Sequence, residues 1–445
     1  MRRKSHVRCG AGENLEIVSK DYLSLSTVEC AVRGLDPLTT MLVVMSTADN
    51  TGKGLILASS PAAKERLGIS NVTRANNLPN HPDLWQVPPR MNLYIQENVK
   101  FNQLLKEYVA EEDHLVYSID ESLIDVTDSM QLFFPDTGLS RQEKRWRFAK
   151  RIQKEAEEKL GLVLSVGIGD NPLLAKLALD NGAKHNPKFR AQWQYQDIPE
   201  TVWKISRMQD FWGIGSRMEK NFYRMGIDTI WQLAHTEPEL LYQKFGVMGQ
   251  QHYYHANGID RTILSEASPV AKEKSYGNSQ VLPRNYTDAS EIELVVREMA
   301  EQVAARIRRH GCLTQCVSLF IGDAMGEKSG FSHQMKIPAT DNTKKLMNYC
   351  LQLFRKYYTG QVVRHVGISY SRLIFTQSRQ LDLFSSPEES AKEEHLDQII
   401  DRIREKYGFT AIVHATSKVN GARSIKRAGL VGGHAGGGPG GLDGL

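Results

Sequence analysis

An adjacent pair of acids inside an apolar stretch constrains this chain more than any other feature of its sequence. Residues 116–127 read Val-Tyr-Ser-Ile-Asp-Glu-Ser-Leu-Ile-Asp-Val-Thr, with β-branched residues on both flanks and a rough polar–apolar alternation. That pattern predicts two strands joined by a tight turn, with Asp120 and Glu121 at its tip. Neighbouring carboxylates repel each other unless a cation is bound, and hard oxygen ligands of this kind suit Mg²⁺. The alternative is a solvated acidic turn that binds nothing.

Length and composition predict a multidomain protein of the ordinary water-soluble type. With 445 residues, 41% apolar and 24% charged, the chain has room for about three domains. It has no apolar run long enough for a membrane helix and no apolar segment after its basic start, so we expect neither a membrane span nor a secretory signal. The five cysteines are scattered without zinc-site spacing, which indicates reduced thiols in a cytosolic protein.

The positive charge is concentrated in one segment. The whole chain has a formal net charge of +5, whereas residues 270–372 alone contain fifteen Lys and Arg against nine Asp and Glu, a net of +6. A basic segment in an otherwise nearly neutral chain is typical of a nucleic-acid-binding surface.

Two basic helices are candidates for binding phosphate. The first, residues 61–67, follows two short apolar strands and a Gly-rich loop and contains Lys64. The second follows a buried strand at 162–168 and contains Lys176 and Lys184. A helix that opens after a strand and a turn suits a triphosphate. The alternative is that these lysines are only solvated, as surface lysines usually are.

A Gly-hydrophobic-Gly turn suggests binding to a DNA backbone. Residues 210–230 read as a helix, the turn Gly213-Ile214-Gly215, a helix that contains Lys220, and the start of another helix. The arrangement resembles a helix–hairpin–helix, in which glycines let backbone N–H groups approach a phosphate. The alternative is a helical corner without a ligand.

The C-terminal half predicts a small sheet domain followed by a tail. Residues 272–375 alternate strands and helices in the order β-α-β-β-α-β. The tail then contains the short apolar-ended stretch 380–384, a helix at 389–407 with Leu396 and three isoleucines on one face, and a Gly-rich end at 432–445 that we expect to be flexible.

Five motifs, in order, resemble those of the Y-family (translesion) DNA polymerases of the UmuC type, in the branch found in Gram-positive bacteria and their phages and plasmids. They are Ser118–Glu121, Ser165–Gly169, Leu174–Ala178, Gly213–Gly215 and Lys274–Gly277. The resemblance covers nearly the whole chain after about residue 27, and the ordered set is far more specific than any single motif.

The resemblance implies an α+β multidomain fold of the right-hand polymerase type. It has a ferredoxin-like palm, small fingers, a helix–hairpin–helix thumb and a β-α-β-β-α-β little-finger domain. The implied bounds are palm 1–40 and 92–190, fingers 41–91, thumb 191–265, little finger 272–375 and tail 376–445.

The resemblance also implies a two-Mg²⁺ site that joins a dNTP to a primer 3′-hydroxyl. Asp120 is then a metal ligand, and Glu121 is either a second ligand or a group that assists the hydroxyl. Lys184 contacts the triphosphate, and Lys64 does so from the fingers, although the helix around it departs from the family pattern by one residue.

Primer–template DNA and a sliding clamp are the implied macromolecular partners. Gly213, Gly215, Lys220 and Lys274 are the expected DNA contacts. Residues 380–384 resemble the peptide by which bacterial polymerases bind the sliding clamp. The side chains expected to contact the clamp are Gln380, Leu381, Leu383 and Phe384. The alternative for this stretch is a linker of no function.

The first thirty residues depart from the family pattern. The family places an acid nine residues before the Glu of its Val-Glu pair, and here the residue nine positions before Glu29 is Lys20. Asp21 is one residue out of register, and the sugar-selecting aromatic falls on Leu25. Either Asp21 serves as the missing metal ligand, or the site is impaired through a frame error or a degenerate gene copy. Residues 1–20 otherwise show little pattern.

Two functions therefore compete. The first is a template-directed DNA polymerase for lesion bypass and DNA repair, expected to act as a monomer in a bacterial cytoplasm. The second is a catalytically impaired protein of the same fold that binds damaged DNA and the clamp. A helix–hairpin–helix nuclease is a weaker third reading, because the sequence offers no second acid or histidine cluster at metal spacing.

Overall fold

The structure is a computed structural model that describes residues 16–20, 25–47, 54–135, 138–266, 274–323, 330–375 and 386–437. The chain divides into two compact units. The first comprises Met1–Thr40, Ser60–Ala62 and Tyr94–Pro269, and the second comprises Met41–Ser59, Ala63–Leu93 and Val270–Leu445.

The strands and helices are numbered in chain order. The strands are β1 Glu16–Lys20, β2 Leu42–Ser46, β3 Leu55–Ser59, β4 Trp85–Val87, β5 His114–Val116, β6 Glu121–Asp125, β7 Ser165–Gly169, β8 Arg190–Trp193, β9 Tyr276–Tyr286, β10 Cys312–Asp323, β11 Phe331–Thr340, β12 Val363–Phe375, β13 Leu430–Val431 and β14 His434–Ala435. The α-helices are α1 Leu25–Val32, α2 Pro61–Leu67, α3 Met91–Leu105, α4 Met130–Phe133, α5 Arg141–Leu160, α6 Pro172–Asn181, α7 Ser216–Tyr223, α8 Ile230–Ala234, α9 Pro238–Phe245, α10 Val247–Ala256, α11 Ala289–Arg309, α12 Thr343–Tyr357, α13 Pro387–Tyr407 and α14 Ser424–Arg427.

The first unit is organised around a five-stranded mixed sheet in the order β5-β6-β1-β7-β8. The central strand β1 pairs antiparallel with both β6 and β7, and β8 runs parallel to β7. α6 packs against β7 and β1. The region before residue 20, which shows little pattern in the sequence, therefore supplies the strand on which the sheet is centred.

Local sequence determines where α5 begins and ends and where α6 begins. Ser140 caps α5 in a reciprocal box with Glu143, and Gly161 ends the helix in a left-handed conformation with φ 67°. Asn171 caps α6 by accepting a hydrogen bond from the N–H of Leu174 at 2.8 Å. The start of α6 is therefore fixed directly after the end of β7.

Two glycines allow α6 to lie directly on β7. A Cβ atom at Gly167 would lie 2.1 Å from the carbonyl oxygen of Ala175 and 2.5 Å from the backbone nitrogen of Leu179. A Cβ atom at Gly169 would lie 2.2 Å from the backbone nitrogen of Ala175. No side chain fits at these distances, so the helix backbone contacts the strand at van der Waals range.

The remainder of the first unit is helical and has its own core. The turn between Phe211 and Gly215 leads into α7, and α8, α9 and α10 follow. Buried Phe211, Phe222 and Leu241 pack in a cluster with Leu174 of α6. The helical segment and the sheet of this unit therefore share apolar contacts through α6.

In the second unit, a four-stranded antiparallel sheet has the order β11-β10-β12-β9. α11 and α12 pack against it, and the shared core includes Val295, Leu319 and Phe354. The chain order β9-α11-β10-β11-α12-β12 is the predicted β-α-β-β-α-β arrangement.

A smaller sheet in the same unit has the order β3-β2-β4, with β2 and β3 antiparallel and β2 and β4 parallel. The two apolar runs that predicted strands are β2 and β3, and the predicted basic helix is α2. β4 has only three residues, too few for an alternation to show in the sequence.

The C-terminal tail packs on α11 through charged groups. Arg308 is ion-paired with Asp397 at 3.3 Å and with Asp401 at 2.6 Å, both on α13. Buried Glu298 accepts hydrogen bonds from the N–H groups of Arg423 at 2.7 Å and Ser424 at 3.0 Å, at the start of α14. The tail is therefore part of the second unit.

The expectation of a flexible Gly-rich end is wrong for residues 432–437. β13 and β14 form a hairpin there. His434 Nδ1 lies 2.9 Å from Ser46 Oγ, and the N–H of Asn92 donates to the carbonyl oxygen of Gly436 at 3.0 Å. A high glycine content suggested flexibility, but these glycines have structural roles. Gly432 and Gly433 form the hairpin turn, and Gly437 packs closely against Arg90.

Two expectations about the class of protein can be compared with the structure. No helix among the described residues is both long enough and apolar enough to cross a bilayer. Within the same residues the cysteines are buried free thiols, namely Cys30, Cys312, Cys316 and Cys350.

We predict that Gly167→Ala lowers the free energy of unfolding by about 3 kcal/mol, because the added methyl overlaps the backbone of α6. Urea unfolding followed by circular dichroism measures this. Gly429→Ala is the control, since a Cβ atom there has nothing within 4 Å, and it should change stability by less than about 0.5 kcal/mol. Equal effects of the two substitutions would contradict the close packing.

Candidate active site

The acid pair lies where β5 turns into β6. The N–H groups of Tyr117 and Ser118 both donate to the carbonyl oxygen of Glu121 at 3.0 Å, which closes the turn. Asp120 is the last turn residue, and Ser118 Oγ donates to its Oδ1 at 2.6 Å. Glu121 is the first residue of β6 and is only 5% exposed, so it is buried beside the turn rather than standing at the tip as predicted.

Two asparagines on α3 hold this turn from behind. Asn98 Nδ2 donates to the carbonyl oxygen of Ile119 at 2.8 Å. Asn102 Oδ1 accepts from Ser122 Oγ at 2.6 Å and from the Nε2–H of His114 at 2.8 Å. Burial lowers the pKa of His114, which favours the neutral ring. Both strands of the hairpin are therefore fixed to one helix by side-chain hydrogen bonds.

An alternating chain of charges runs from the turn along α6. Lys176 Nζ lies 2.5 Å from Glu121 Oε1 and 3.0 Å from Asp180 Oδ2. Lys184 Nζ lies 2.9 Å from Asp180 Oδ1. Lys176 is buried, at 4% exposed, whereas Lys184 is partly accessible. The structure thus brings Lys184, predicted as a triphosphate contact, close to Glu121.

These groups line a single open cavity of about 740 Å³ in the first unit. The cavity also includes the glycine turn, and the Tyr117 ring lies 6.0 Å from that of Trp212, edge to face. Its lining residues are Tyr117, Glu121, Lys176, Asp180, Asn181, Lys184, Gln209, Asp210, Phe211, Trp212, Gly213, Ile214 and Gly215. One cavity therefore combines three carboxylates, two lysines and a backbone turn rich in N–H groups.

The glycine turn has the predicted geometry of a helix–hairpin–helix. Gly213 has φ +95°, a conformation that favours glycine, and Gly215 caps α7. Lys220 is exposed on α7. The next helix, α8, begins with a capping box between Thr229 and Gln232. The turn therefore presents backbone and a lysine to solvent, as phosphate binding requires.

The end of β1 lies against the acid pair. Its last residue, Lys20, is paired with Glu121 on one side and with Ser165 on the other. The described residues contain no group of three or more acids, histidines or cysteines that would hold a metal ion. Asp21, the out-of-register candidate ligand, lies outside the described residues.

The other predicted site residues fall elsewhere. Lys64 is exposed on α2 and Lys274 is exposed just before β9, both in the second unit. The clamp-peptide residues lie outside the described part of the chain; they are Gln380, Leu381, Leu383 and Phe384.

The sequence predicts that Lys176 contacts a phosphate, whereas in the structure it is ion-paired with Glu121. The available signal was the four-residue spacing of Lys176 and Asp180, which places opposite charges on one face of α6. The contact with Glu121 spans 55 positions in the chain and leaves no local pattern.

The comparisons with known proteins identify the class. Residues 26–180 match the impB/mucB/samB family, and residues 273–383 match the C-terminal domain of that family. The chain belongs to this family, the UmuC-type group of the Y-family DNA polymerases, as the motifs predicted.

Two individual relatives are similar in sequence to this chain over most of its length. "Putative UV-damage repair protein UvrX" of Bacillus subtilis (strain 168) is 40% identical over 416 residues, which is 93% of this chain and 95% of that protein. "DNA polymerase IV 2" of the same organism is 32% identical over 396 residues, 88% of this chain and 92% of that protein.

A solved structure confirms the predicted fold class. It is a Y-family DNA polymerase chimera, Dbh-Dpo4(243-245)-Dbh, with a TM-score of 0.62 and 19% identity, covering 82% of this chain and 100% of its own. At this identity the likeness concerns the fold alone.

We predict that Lys176→Met lowers the free energy of unfolding by about 3 kcal/mol, because it leaves the buried Glu121 carboxylate without its cation. Adding Glu121→Gln should recover part of the loss, since the double variant has no unpaired charge. Lys184→Met is the control and should cost less than about 1 kcal/mol, because Lys184 is partly solvated. Urea unfolding of the four proteins, wild type included, tests this; a double variant no more stable than Lys176→Met would contradict it.

The helical segment of the first unit should be sensitive to acid through His252. This residue is 2% exposed and packs near Phe222, and neither ring nitrogen has a hydrogen-bond partner among the described residues. Burial lowers the pKa of His252 to about 4. Because the unfolded chain takes up this proton near pH 6.5, stability should fall as pH decreases from 6.5 to 4, by at most roughly 3 kcal/mol.

Unfolding free energy measured across that pH range tests the prediction, with His252→Phe as the comparison. The substitution should reduce the loss in acid but not remove it, because burial also lowers the pKa of His255. An unchanged acid slope in His252→Phe would rule out His252 as a cause.

Proposed function

We propose that this chain is a template-directed DNA polymerase for translesion synthesis. In the reaction the primer 3′-hydroxyl gives up its proton to solvent as its oxygen bonds to the α-phosphorus of a dNTP, and the bond from that phosphorus to pyrophosphate breaks. The observation that carries the proposal is the Asp120–Glu121 turn, in which Glu121 lines one cavity together with Lys176 and Lys184.

The donors at the turn fit a hard divalent cation. The Asp120 carboxylate is half-buried, is oriented by Ser118, and retains a second oxygen for a ligand. Mg²⁺ characteristically binds one or two carboxylates together with substrate phosphates and water. When bound, two such ions would neutralise the charge that develops on the attacking and leaving oxygens.

We further propose that the site binds a second Mg²⁺ and that Asp21 is needed as a ligand for it. β1 ends at Lys20, which is paired with Glu121, and the residue that follows in the sequence is Asp21. An acid directly after a strand that borders the turn is well placed in the sequence to complete the ligand set. We therefore assign Asp21, with Asp120 and Glu121, as the metal-binding residues.

The protein groups act by position and charge. Lys176 neutralises Glu121 from the interior and holds its carboxylate next to the turn. Lys184 is assigned to the triphosphate, because it is the accessible end of the charge chain and lies just past the end of α6. Lys64 is assigned to the same phosphates from the segment of residues 41–91, which we propose as the fingers.

The DNA contacts and partners follow the same reasoning. Gly213, Gly215 and Lys220 are assigned to a DNA phosphate and Lys274 to the little-finger contact, all of which should be sensitive to salt. The peptide at 380–384 is proposed to bind the sliding clamp. We place the protein, as a monomer, in the bacterial cytoplasm, where its DNA substrate lies.

The alternative function is a catalytically impaired protein of this fold that binds damaged DNA and the clamp. The observation that favours it is a lysine, Lys20, opposite Glu121 at the strand end, where the family pattern expects an acid. Loss of one carboxylate ligand should cost much of the stabilisation of the transferring phosphate.

Primer extension on an undamaged primed template, with Mg²⁺ and four dNTPs, distinguishes the two functions. Asp120→Ala should reduce extension at least about 100-fold, because it removes charge stabilisation at the reacting phosphate. Asp128→Ala is the matched control, since Asp128 is an exposed acid eight residues away in the sequence, and it should extend primers normally. Asp21→Ala should be as inactive as Asp120→Ala.

A wild-type chain that binds primed DNA but extends nothing would reject the polymerase in favour of the alternative. Lys20→Asp is then informative, because recovered extension would identify Lys20 as the defect.

A further inference from the structure

Two cavities in the second unit adjoin along the C-terminal tail. One, of about 820 Å³, lies between the C-terminal end of α11 and α13. The other, of about 500 Å³, lies along β9 and the segment around α14. Both are lined by Gln302, Arg306 and Phe409. We call this continuous depression the tail groove.

Arginines line the tail groove along both of its cavities. Arg306 Nη1 donates to the carbonyl oxygen of Gly277 at 2.8 Å. Arg309 and Arg402 are exposed, and neither has a carboxylate within ion-pair distance among the described residues. Arg427 lines the other end and donates to the carbonyl oxygen of Ser279 at 3.4 Å.

The acids of the groove are largely occupied. Asp401 is bound by Arg308 at 2.6 Å, and Asp341 is buried at 5% exposed. Glu405 is therefore the exposed acid of the larger cavity. Arg306, Arg309 and Arg402 line the same cavity at the α11–α13 end. Three arginines against one exposed acid make this end of the groove attractive to an anion.

An aromatic ring lies at the junction of the two cavities. Phe409 lines both of them, and the guanidinium of Arg404 lies 4.5 Å from its ring centre. Arg404 is itself fixed by an ion pair with Glu301 at 2.9 Å. The ring therefore lies beside a guanidinium that is itself held in place.

The groove continues onto the face of the β9–β12 sheet. A third cavity, of about 490 Å³, lies on that face and shares Gly277, Asn278, Ser279 and His365 with the cavity along β9. A polymer on the sheet face has an uninterrupted path over the β9 edge into the tail groove.

We propose that the tail groove binds single-stranded DNA that leaves the sheet face of the little finger. The inference rests on the proposed function, and it adds a surface built by the C-terminal tail. Cationic grooves interrupted by aromatic side chains are the usual means of binding single strands, because the backbone follows the charges and an unpaired base stacks on the ring. In a duplex the base faces are stacked on one another, so Phe409 can serve only an unpaired base.

The test uses the full chain and a fluorescently labelled oligothymidylate, with anisotropy measured at several salt concentrations. Arg309→Ala combined with Arg402→Ala should weaken binding and reduce the slope of log affinity against log salt by about 1.4, since each lost single-strand phosphate contact contributes about 0.7. The matched control is Lys392→Ala combined with Lys406→Ala, which removes two exposed cations from α13 that line neither cavity.

Phe409→Leu provides an independent measurement, because it keeps an apolar side chain beside Arg404. It should weaken oligothymidylate binding at least about fivefold through lost stacking, with little change in the salt slope. Binding of a blunt-ended duplex should not change.

The proposal is overturned if the arginine variant binds oligothymidylate like the lysine control, or if duplex binding falls as much as single-strand binding. Failure of the proposed function is separate, since it appears in the primer-extension assay, as no extension by the wild-type chain or as extension that does not depend on Asp120. A chain that extends primers while its arginine variant matches the control would lose the groove and keep the polymerase.

Discussion

The buried ion pair between Lys176 and Glu121 is the interaction on which the candidate site depends. It joins β6 to α6, two elements that are far apart in the chain, at the point where both reach the cavity. Two charges removed from water are tolerated only with close geometry and further partners. Here Lys176 has a second partner in Asp180, and the glycines of β7 allow α6 to approach closely enough for the contact to form.

Local features of the site were predictable from the sequence because they have local causes. The acid turn follows from two alternating segments around Asp120, and the glycine turn follows from Gly213, whose positive φ requires glycine. The Lys176–Glu121 pair and the pairing of β1 depend on contacts between remote segments. A five-residue strand in a region of little pattern carries no signal of its own, although it lies at the centre of the sheet.

In the second unit, too, the periodic strands and helices were predictable from the sequence, whereas the ionic contacts between remote segments were not. The order β-α-β-β-α-β was predictable because its strands and helices are long and periodic. The ionic part of the docking of α13 was not: Asp397 and Asp401 hold Arg308, while Leu396 of the predicted apolar face is 57% exposed. These pairs join residues that are 89 and 93 positions apart in the chain, so no local pattern in the sequence indicates them.

The register of β1 bears on the disagreement between the two candidate functions. Counting from Glu29 along the sequence puts Lys20 at the position where the family has its acid, a count that assumes a fixed length between β1 and α1. The sheet provides a separate reference, because Lys20 is the strand residue paired with Glu121 in the register of β1 and β6. An acid that serves the turn at Asp120, the neighbour of Glu121, is then sought one residue beyond Lys20. That residue is Asp21, which is why we propose it as a ligand; a one-residue difference in the β1–α1 connection would then account for the altered motif.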